Sequence, residues 1–156
     1  MAKLEVFTDG SYRAFGPGFG SWSFVVVRDG KPIHDGVGTA LGTTVNKMEF
    51  QAILEALKYF KKPKKFTIYS DSQYAVFSIT RWSKMWASNN WLTKTGDPVK
   101  NKELLQEILH EMKRHKVSFQ WVKGHAGNLY NERADLIAQT ATRTLYQDWK
   151  VATAQL

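Results

Sequence analysis

The period of the hydrophobic pattern changes between Thr39 and Asn46, and that change limits the chain to few folds. Before it, the pattern is strand-like. Lys3 to Thr8 alternates, and Ser21 to Arg28 is a longer run rich in valine and aromatic residues. Gly16-Pro17-Gly18-Phe19-Gly20 marks a turn between them. Asp29-Gly30 is a hairpin signal leading into a third strand, Lys31 to Thr39. Three closely linked strands read as an antiparallel meander. After the change, Ile53, Ala56, Leu57 and Phe60 recur at helical spacing from Asn46 to Phe60. Lys65 to Ser70 reads as a short strand and Asp71 to Trp86 as a helix. Asn101 to His115 is another helix, with Leu104, Leu105, Ile108, Leu109 and Met112 inward. Val117 to Val122 is a fifth strand. Asn131 to Leu145 is a last helix, with Ala134, Ile137, Ala138, Ala141 and Leu145 on one face. A meander followed by alternating helices and strands predicts an α/β chain, a mixed sheet covered by helices.

The length of 156 residues suits one domain spanning 1–156. A domain of this size buries enough surface to fold without a disulfide or structural metal. The absence of cysteine excludes disulfides, thiolate nucleophiles and Cys-ligated zinc. The longest strongly apolar run is Phe24-Val25-Val26-Val27, far short of a membrane span, and the amino terminus has no apolar signal core. The expectation is a cytoplasmic monomer with no membrane partner. A net charge of +8 favours a polyanionic partner. The excess is spread over both halves of the chain, so the binding surface belongs to the fold itself.

Four carboxylates stand out by position. Asp9 falls at the end of the first predicted strand, before Gly10-Ser11, and Asp71 at the end of the fourth. Functional groups of open sheets gather at strand ends near a switch in strand order. The bland alternative for either is a turn or helix cap. Glu49 shares a helix face with Ile53, Leu57 and Phe60, so a charge points toward the core. Such a group costs several kcal/mol without a partner, far more than the roughly 0.3–1 kcal/mol a helix dipole returns. A metal ion, a buried base, or an ion pair with Lys47 would each account for it. Asp135 lies at the edge of the last helix's apolar stripe, after the loop Gly124-His125-Ala126-Gly127-Asn128. His125 beside a carboxylate cluster is a candidate proton carrier. Four converging carboxylates need cations, and oxygen-only ligands favour Mg²⁺ or Mn²⁺.

These residues stand in motifs that resemble a known family. Thr8-Asp9-Gly10-Ser11, Asn46-Lys47-Met48-Glu49, Tyr69-Ser70-Asp71-Ser72-Gln73-Tyr74, Trp121-Val122-Lys123-Gly124-His125-Ala126-Gly127 and Asn131-Glu132-Arg133-Ala134-Asp135 occur in the order found in type 1 ribonuclease H. The resemblance covers roughly residues 3–147. It implies an RNase H-like five-stranded mixed sheet, the first three strands antiparallel, with helices on both faces. It implies a core over 3–147, a protruding handle over 81–102 and a short C-terminal tail over 148–156. It implies an endoribonuclease that cuts the RNA strand of RNA/DNA hybrids, leaving 5′-phosphate and 3′-hydroxyl ends. Two Mg²⁺ ions serve this chemistry when substrate is bound, with Mn²⁺ as a substitute. Asp9 corresponds to the ligand bridging both ions, Asp135 to the nucleophile side, and Glu49 and Asp71 to the leaving-group side. His125 corresponds to the residue that assists proton transfer or product departure.

The resemblance also implies substrate contacts. Gly10, Ser11 and Glu49 would read 2′-hydroxyls, which only the RNA strand carries. Asn46 and Gln73 would touch base edges in the minor groove, with a helix N-cap as the simpler alternative for Asn46. Thr44 and Asn101 would hold a DNA phosphate. Trp82 and Trp86 would lie against DNA sugars, with a small aromatic core as the structural alternative. Lys84, Lys94, Lys100 and Lys102 would meet phosphates. The chain departs from the pattern at Ala87-Ser88-Asn89-Asn90, where relatives carry a basic cluster, and at Val45 and Ala14-Phe15, where relatives often have Asn. Three rivals share parts of the pattern: a reverse-transcriptase ribonuclease H domain, a non-catalytic hybrid-binding module, and a transposase or integrase relative. The opening Met1, the intact carboxylate set, and the handle with the His125 loop count against them in turn.

Overall fold

A computed structural model describes residues 2–124 and 126–154. Strand β1 (Leu4–Arg13), β2 (Phe19–Arg28) and β3 (Lys31–Leu41) form the antiparallel meander. Asp29 and Gly30 both have positive φ, 49° and 80°, as a two-residue hairpin turn matching the twist of its strands requires. Helix α1 (Val45–Tyr59) then leads to β4 (Lys65–Ser70), which pairs parallel to β1. A helical segment follows: α2 (Gln73–Phe77), a π-helical turn over Ser78–Trp82, and α3 (Ser83–Ser88). Helix α4 (Lys102–Met112), β5 (Lys116–Trp121) and α5 (Leu129–Thr153) complete the fold. The sheet order is β3-β2-β1-β4-β5, and its five strands form the mixed sheet, with the first three antiparallel, that the resemblance to ribonuclease H implies. No helix among the described residues is long and apolar enough to cross a membrane.

Strand β1 sits at the centre, antiparallel to β2 and parallel to β4, where the strand order switches. Its even-numbered side chains face α1, and its odd-numbered ones face α5. Val6 accordingly packs with Phe50, Ile53, Leu57 and Ile68, whereas Phe7 packs with Val25, Val27 and Ala134. Helix α1 is buried on more sides than one apolar stripe requires, because the sheet covers one flank and α4 another. Met48, Phe50, Ala52, Leu54 and Ala56 are buried beside Ile53 and Leu57.

Most element boundaries shift by one to three residues from the sequence expectation, and three elements differ more. Strand β1 runs on through Arg13, held by its ladder to β2 up to Arg13↔Phe19 rather than by burial. The Asp71–Trp86 helix contains the π-turn, where the Thr80 and Ser83 hydroxyls donate to the carbonyls of Val76 and Ile79. Helix α5 continues past Leu145 to Thr153, because Tyr146 and Trp149 dock on Phe19 with ring centroids 5.3 and 5.2 Å away.

Small residues let α5 approach the sheet closely. Ala134, Ala138 and Thr142 form its buried stripe. Ser23 donates to the Ala134 carbonyl at 2.6 Å, and Ser21 donates to the Ala138 carbonyl. These two serines set the height of α5 over the sheet and hence the height of Asp135. Ser23→Ala is expected to cost about 1 kcal/mol, the usual net worth of one hydrogen bond. Urea unfolding would show it as a lower midpoint at unchanged slope.

Candidate active site

The parallel pairing of β1 with β4 ends at Thr8↔Ser70, while β1 itself continues along β2. Asp9 is therefore inside a strand but just past the last β4 pair. This corrects the expectation that it ends the strand: the ladder to β2 carries the backbone four residues further. Beyond that pair the Gly10 N–H donates to two carboxylate oxygens at once, Asp9 Oδ1 at 2.9 Å and Glu49 Oε1 at 2.6 Å.

Helix α1 brings Glu49 there because β1 carries glycine at position 10. A Cβ on Gly10 would lie 2.6 Å from the Glu49 backbone nitrogen and 2.8 Å from the Met48 carbonyl carbon. Thr44 caps the helix, accepting from the Lys47 N–H at 3.1 Å. Asn46 is not the cap; it lies exposed in the first turn. Lys47 is exposed and forms no ion pair with the buried Glu49, so the alternative of a Lys47 partner does not hold among the described residues.

Asp71 follows the last residue of β4. It is not the cap of the next helix; Ser72 fills that role, accepting from the Ala75 N–H at 3.0 Å. The Asp71 carbonyl accepts from Trp121 Nε1 at 3.0 Å, and Gly124 approaches its carboxylate so closely that a Cβ there would lie 3.0 Å from Oδ2. Asp9, Glu49 and Asp71 each present an oxygen within 4.8 Å of the others. Asp9 is 3% exposed and Glu49 5%. Asp135 lies outside that trio, half-buried on α5, where both its oxygens accept from Gln139 Nε2 at 3.1 and 3.0 Å. It is nevertheless near enough to influence Asp9. His125 lies outside the described residues.

The electrostatics follow from crowding. Burial pushes the Asp9 carboxyl well above the usual carboxylate range, and the charges of Glu49 and Asp71 push it the same way. A protonated Asp9 could also donate to Glu49 or Asp135, which favours the acid form further. Burial raises Glu49 too, partly offset by the hydrogen bonds it receives. Asp9 Oδ2 is buried with no hydrogen-bond partner among the described residues. An oxygen-only donor set with an oxygen orphaned among the described residues fits a hard divalent cation.

The predicted substrate contacts flank this centre. Ser11 follows on β1, and Gln73 is the exposed first residue of α2. Asn101 caps α4 in a left-handed conformation (φ 62°) and lines one groove with Thr43 and Lys47, beside Thr44. Lys47 and Glu103 are the charged side chains of that groove. Trp82 and Trp86 are half-buried with ring centroids 6.0 Å apart. Through Tyr74, 6.1 Å from Trp82 and 5.8 Å from Phe50, the pair is tied to the main core.

A profile of the RNase H family matches residues 1–143. The chain is 41% identical over 143 residues to a ribonuclease H of Hahella chejuensis, covering 92% of this chain and 95% of that one. It is 43% identical over 141 residues to a ribonuclease H of Hydrogenovibrio crunogenus, covering 90% and 96%. Among solved structures it is similar to a type 1 RNase H with the type 2 active-site motif, with a TM-score of 0.78 and 28% identity, over 90% of this chain and 72% of that one.

The crowding has a signature in stability. Because both folded-state pKa values are raised, Asp9 and Glu49 favour the metal-free fold fully below pH about 4, the unfolded carboxylate value, and lose that contribution as pH rises through the folded values. Asp9→Asn should therefore raise the melting temperature of the chelator-treated protein at pH 7 by about 3–8 °C, roughly 1–2 kcal/mol, and by much less near pH 4. Equal shifts at both pH values would contradict the crowding. Gly10→Ala should separate β1 from α1 and lower the melting temperature at every pH.

Proposed function

The chain belongs to the ribonuclease H family, and from that premise we propose that it is an endoribonuclease hydrolysing the RNA strand of RNA/DNA hybrids, leaving 5′-phosphate and 3′-hydroxyl ends. The observation that carries this reading is the convergence of two buried carboxylates on the single Gly10 N–H, with Asp71 within the same 4.8 Å cluster. Asp9, Glu49, Asp71 and Asp135 would hold two Mg²⁺ ions, with Mn²⁺ as substitute. Bound there, such ions supply an activated water and stabilise the leaving oxygen of an in-line phosphoryl displacement.

The chain's own residues supply placement. Glu49 is steered by Gly10 and, more distantly, by the Ser70 hydroxyl at 3.5 Å. Gln139 orients Asp135. His125, which follows β5 in the sequence, would move the proton that the leaving group or product requires. Hybrid selectivity rests on 2′-hydroxyls met from the wide minor groove. The Gly10 N–H is already engaged, so the Ser11 hydroxyl and Glu49 would read them. Asn46 and Gln73 would touch base edges, Thr44, Asn101 and Lys47 a DNA phosphate, and Trp82 and Trp86 the DNA sugars.

The test is cleavage of end-labelled hybrid in Mg²⁺ and in chelator, with RNA duplex and DNA duplex as controls. Hybrid-only, Mg²⁺-dependent cuts with 5′-phosphate ends are expected. Asp9→Asn and Asp71→Asn should lose turnover while retaining hybrid binding, and His125→Ala should slow turnover without abolishing it. Near-wild-type rates in either Asp variant would overturn the assignment.

A further inference from the structure

Two rows of side chains lead away from the carboxylates side by side. On β1, Asp9, Ser11 and Arg13 alternate onto the face that α5 covers. On α5, Asp135, Gln139 and Arg143 follow at four-residue intervals along one side of the helix. Four strand residues and eight helical residues advance by nearly the same length, about 12–13 Å, so the rows stay in step. Ser11, Arg13, Gln139, Thr142 and Arg143, with Tyr12, line a single groove of about 260 Å³. Along the two rows the character changes from the carboxylates of Asp9 and Asp135 through neutral polar groups to two guanidinium groups.

The two arginines are not neutralised. Neither forms an ion pair among the described residues, whereas Arg114 and Arg133 pair with Glu111 and Asp35, each at 2.7 Å. The Arg13 guanidinium carbon lies 5.2 Å from the centroid of the Tyr146 ring, which leans it against α5 without cancelling its charge. Gln139 couples the groove to the site, since the amide that lines the groove also donates to Asp135.

We propose that this groove holds a backbone phosphate of the strand being cut, close along that strand from the scissile bond, gripped by Arg13 and Arg143. The inference rests on reading the chain as a hybrid nuclease. Guanidinium forks match phosphate oxygens in plane and in number, and two such forks facing one groove suit an anion that bears charge but no base information. A strand whose scissile phosphate sits at Asp9 and Asp135 would run its neighbouring phosphates along the two rows toward the arginines.

The experiment uses the full chain in chelator, where binding is read without cleavage. Anisotropy of a labelled RNA/DNA hybrid is followed across a salt series for wild type, Arg143→Gln, and Arg13→Gln with Arg143→Gln. The double variant should bind about tenfold more weakly, with a log–log salt slope shallower by roughly 0.9, the share of one phosphate. Arg143→Gln alone should give part of the loss, and it leaves the Arg13–Tyr146 contact in place. Lysine at both positions should restore most of the slope, since the charges return without the forks. Hybrids carrying one uncharged methylphosphonate at successive RNA positions then locate the phosphate. Wild type should lose affinity at one position near the cut, and the double variant should be indifferent there. Wild-type affinity and slope in a double variant whose thermal melt is unchanged would overturn the proposal, as would an undiminished methylphosphonate penalty. Failure of wild type itself to bind and cut the hybrid would instead fell the parent reading, and this one with it.

Discussion

Strand β1 loses its β4 neighbour after Thr8 but keeps β2 beside it to Arg13, and the first turn of α1 fills the space thus opened. The contact is so close at Gly10 that no side chain fits, and the N–H that β4 no longer covers is taken by Asp9 and Glu49 together. One donor shared between two buried acids is the constraint from which the site's chemistry follows. It holds two carboxyl groups at fixed separation, leaves Asp9 Oδ2 without a partner among the described residues, and sets Asp71 alongside because β4 ends at the same level.

Such an arrangement works against the metal-free fold, since each buried carboxylate has surrendered water without gaining a cation. The surrounding structure compensates by being unexceptional. The core around Val6, Phe50, Ile53, Leu57 and Ile68 is apolar and closely packed, and α5 is secured by small residues and two serine hydroxyls. Asp135 adds the fourth charge from a half-buried position on a helix flank, where solvent and Gln139 moderate it. Proteins commonly break local rules at functional sites and make good the cost elsewhere, and here two acids, Asp9 and Glu49, are buried side by side.

The positive charge is distributed to match. The stretch Ala87-Ser88-Asn89-Asn90 is uncharged, and cations stand on elements outside it. Lys47, near the Asn101 cap, lies on the α1 side of the carboxylates, and Arg13 with Arg143 on the α5 side. An anionic centre with cations on two flanks suits a polyphosphate laid across the carboxyl-end edge of the sheet, with the excess charge of +8 borne by the domain itself rather than by a tail.

The order and type of the elements are legible in the chain because hydrophobic period is a local property. Alternation marks the first three strands, and the spacing of Ile53, Ala56, Leu57 and Phe60 marks α1. The same spacing exposes Glu49 as a charge on a buried face, so the oddest member of the site shows in the residue pattern alone. The full length of β1 does not show there, because Ser11 and Arg13 do not alternate in hydrophobicity; the ladder to β2 holds that stretch. The true caps Thr44 and Ser72, one or two residues from Asn46 and Asp71, are settled by backbone angles that composition does not encode. Arg13 and Arg143 come from opposite ends of the chain and meet only because α5 lies along β1. Local pattern is thus enough to say which segments are strands and helices, and which acids are out of place among apolar neighbours. That these acids share one N–H, and that the arginines face one groove, depends on where one ladder ends and how closely a helix approaches. Both are set by pairing between residues far apart in the chain.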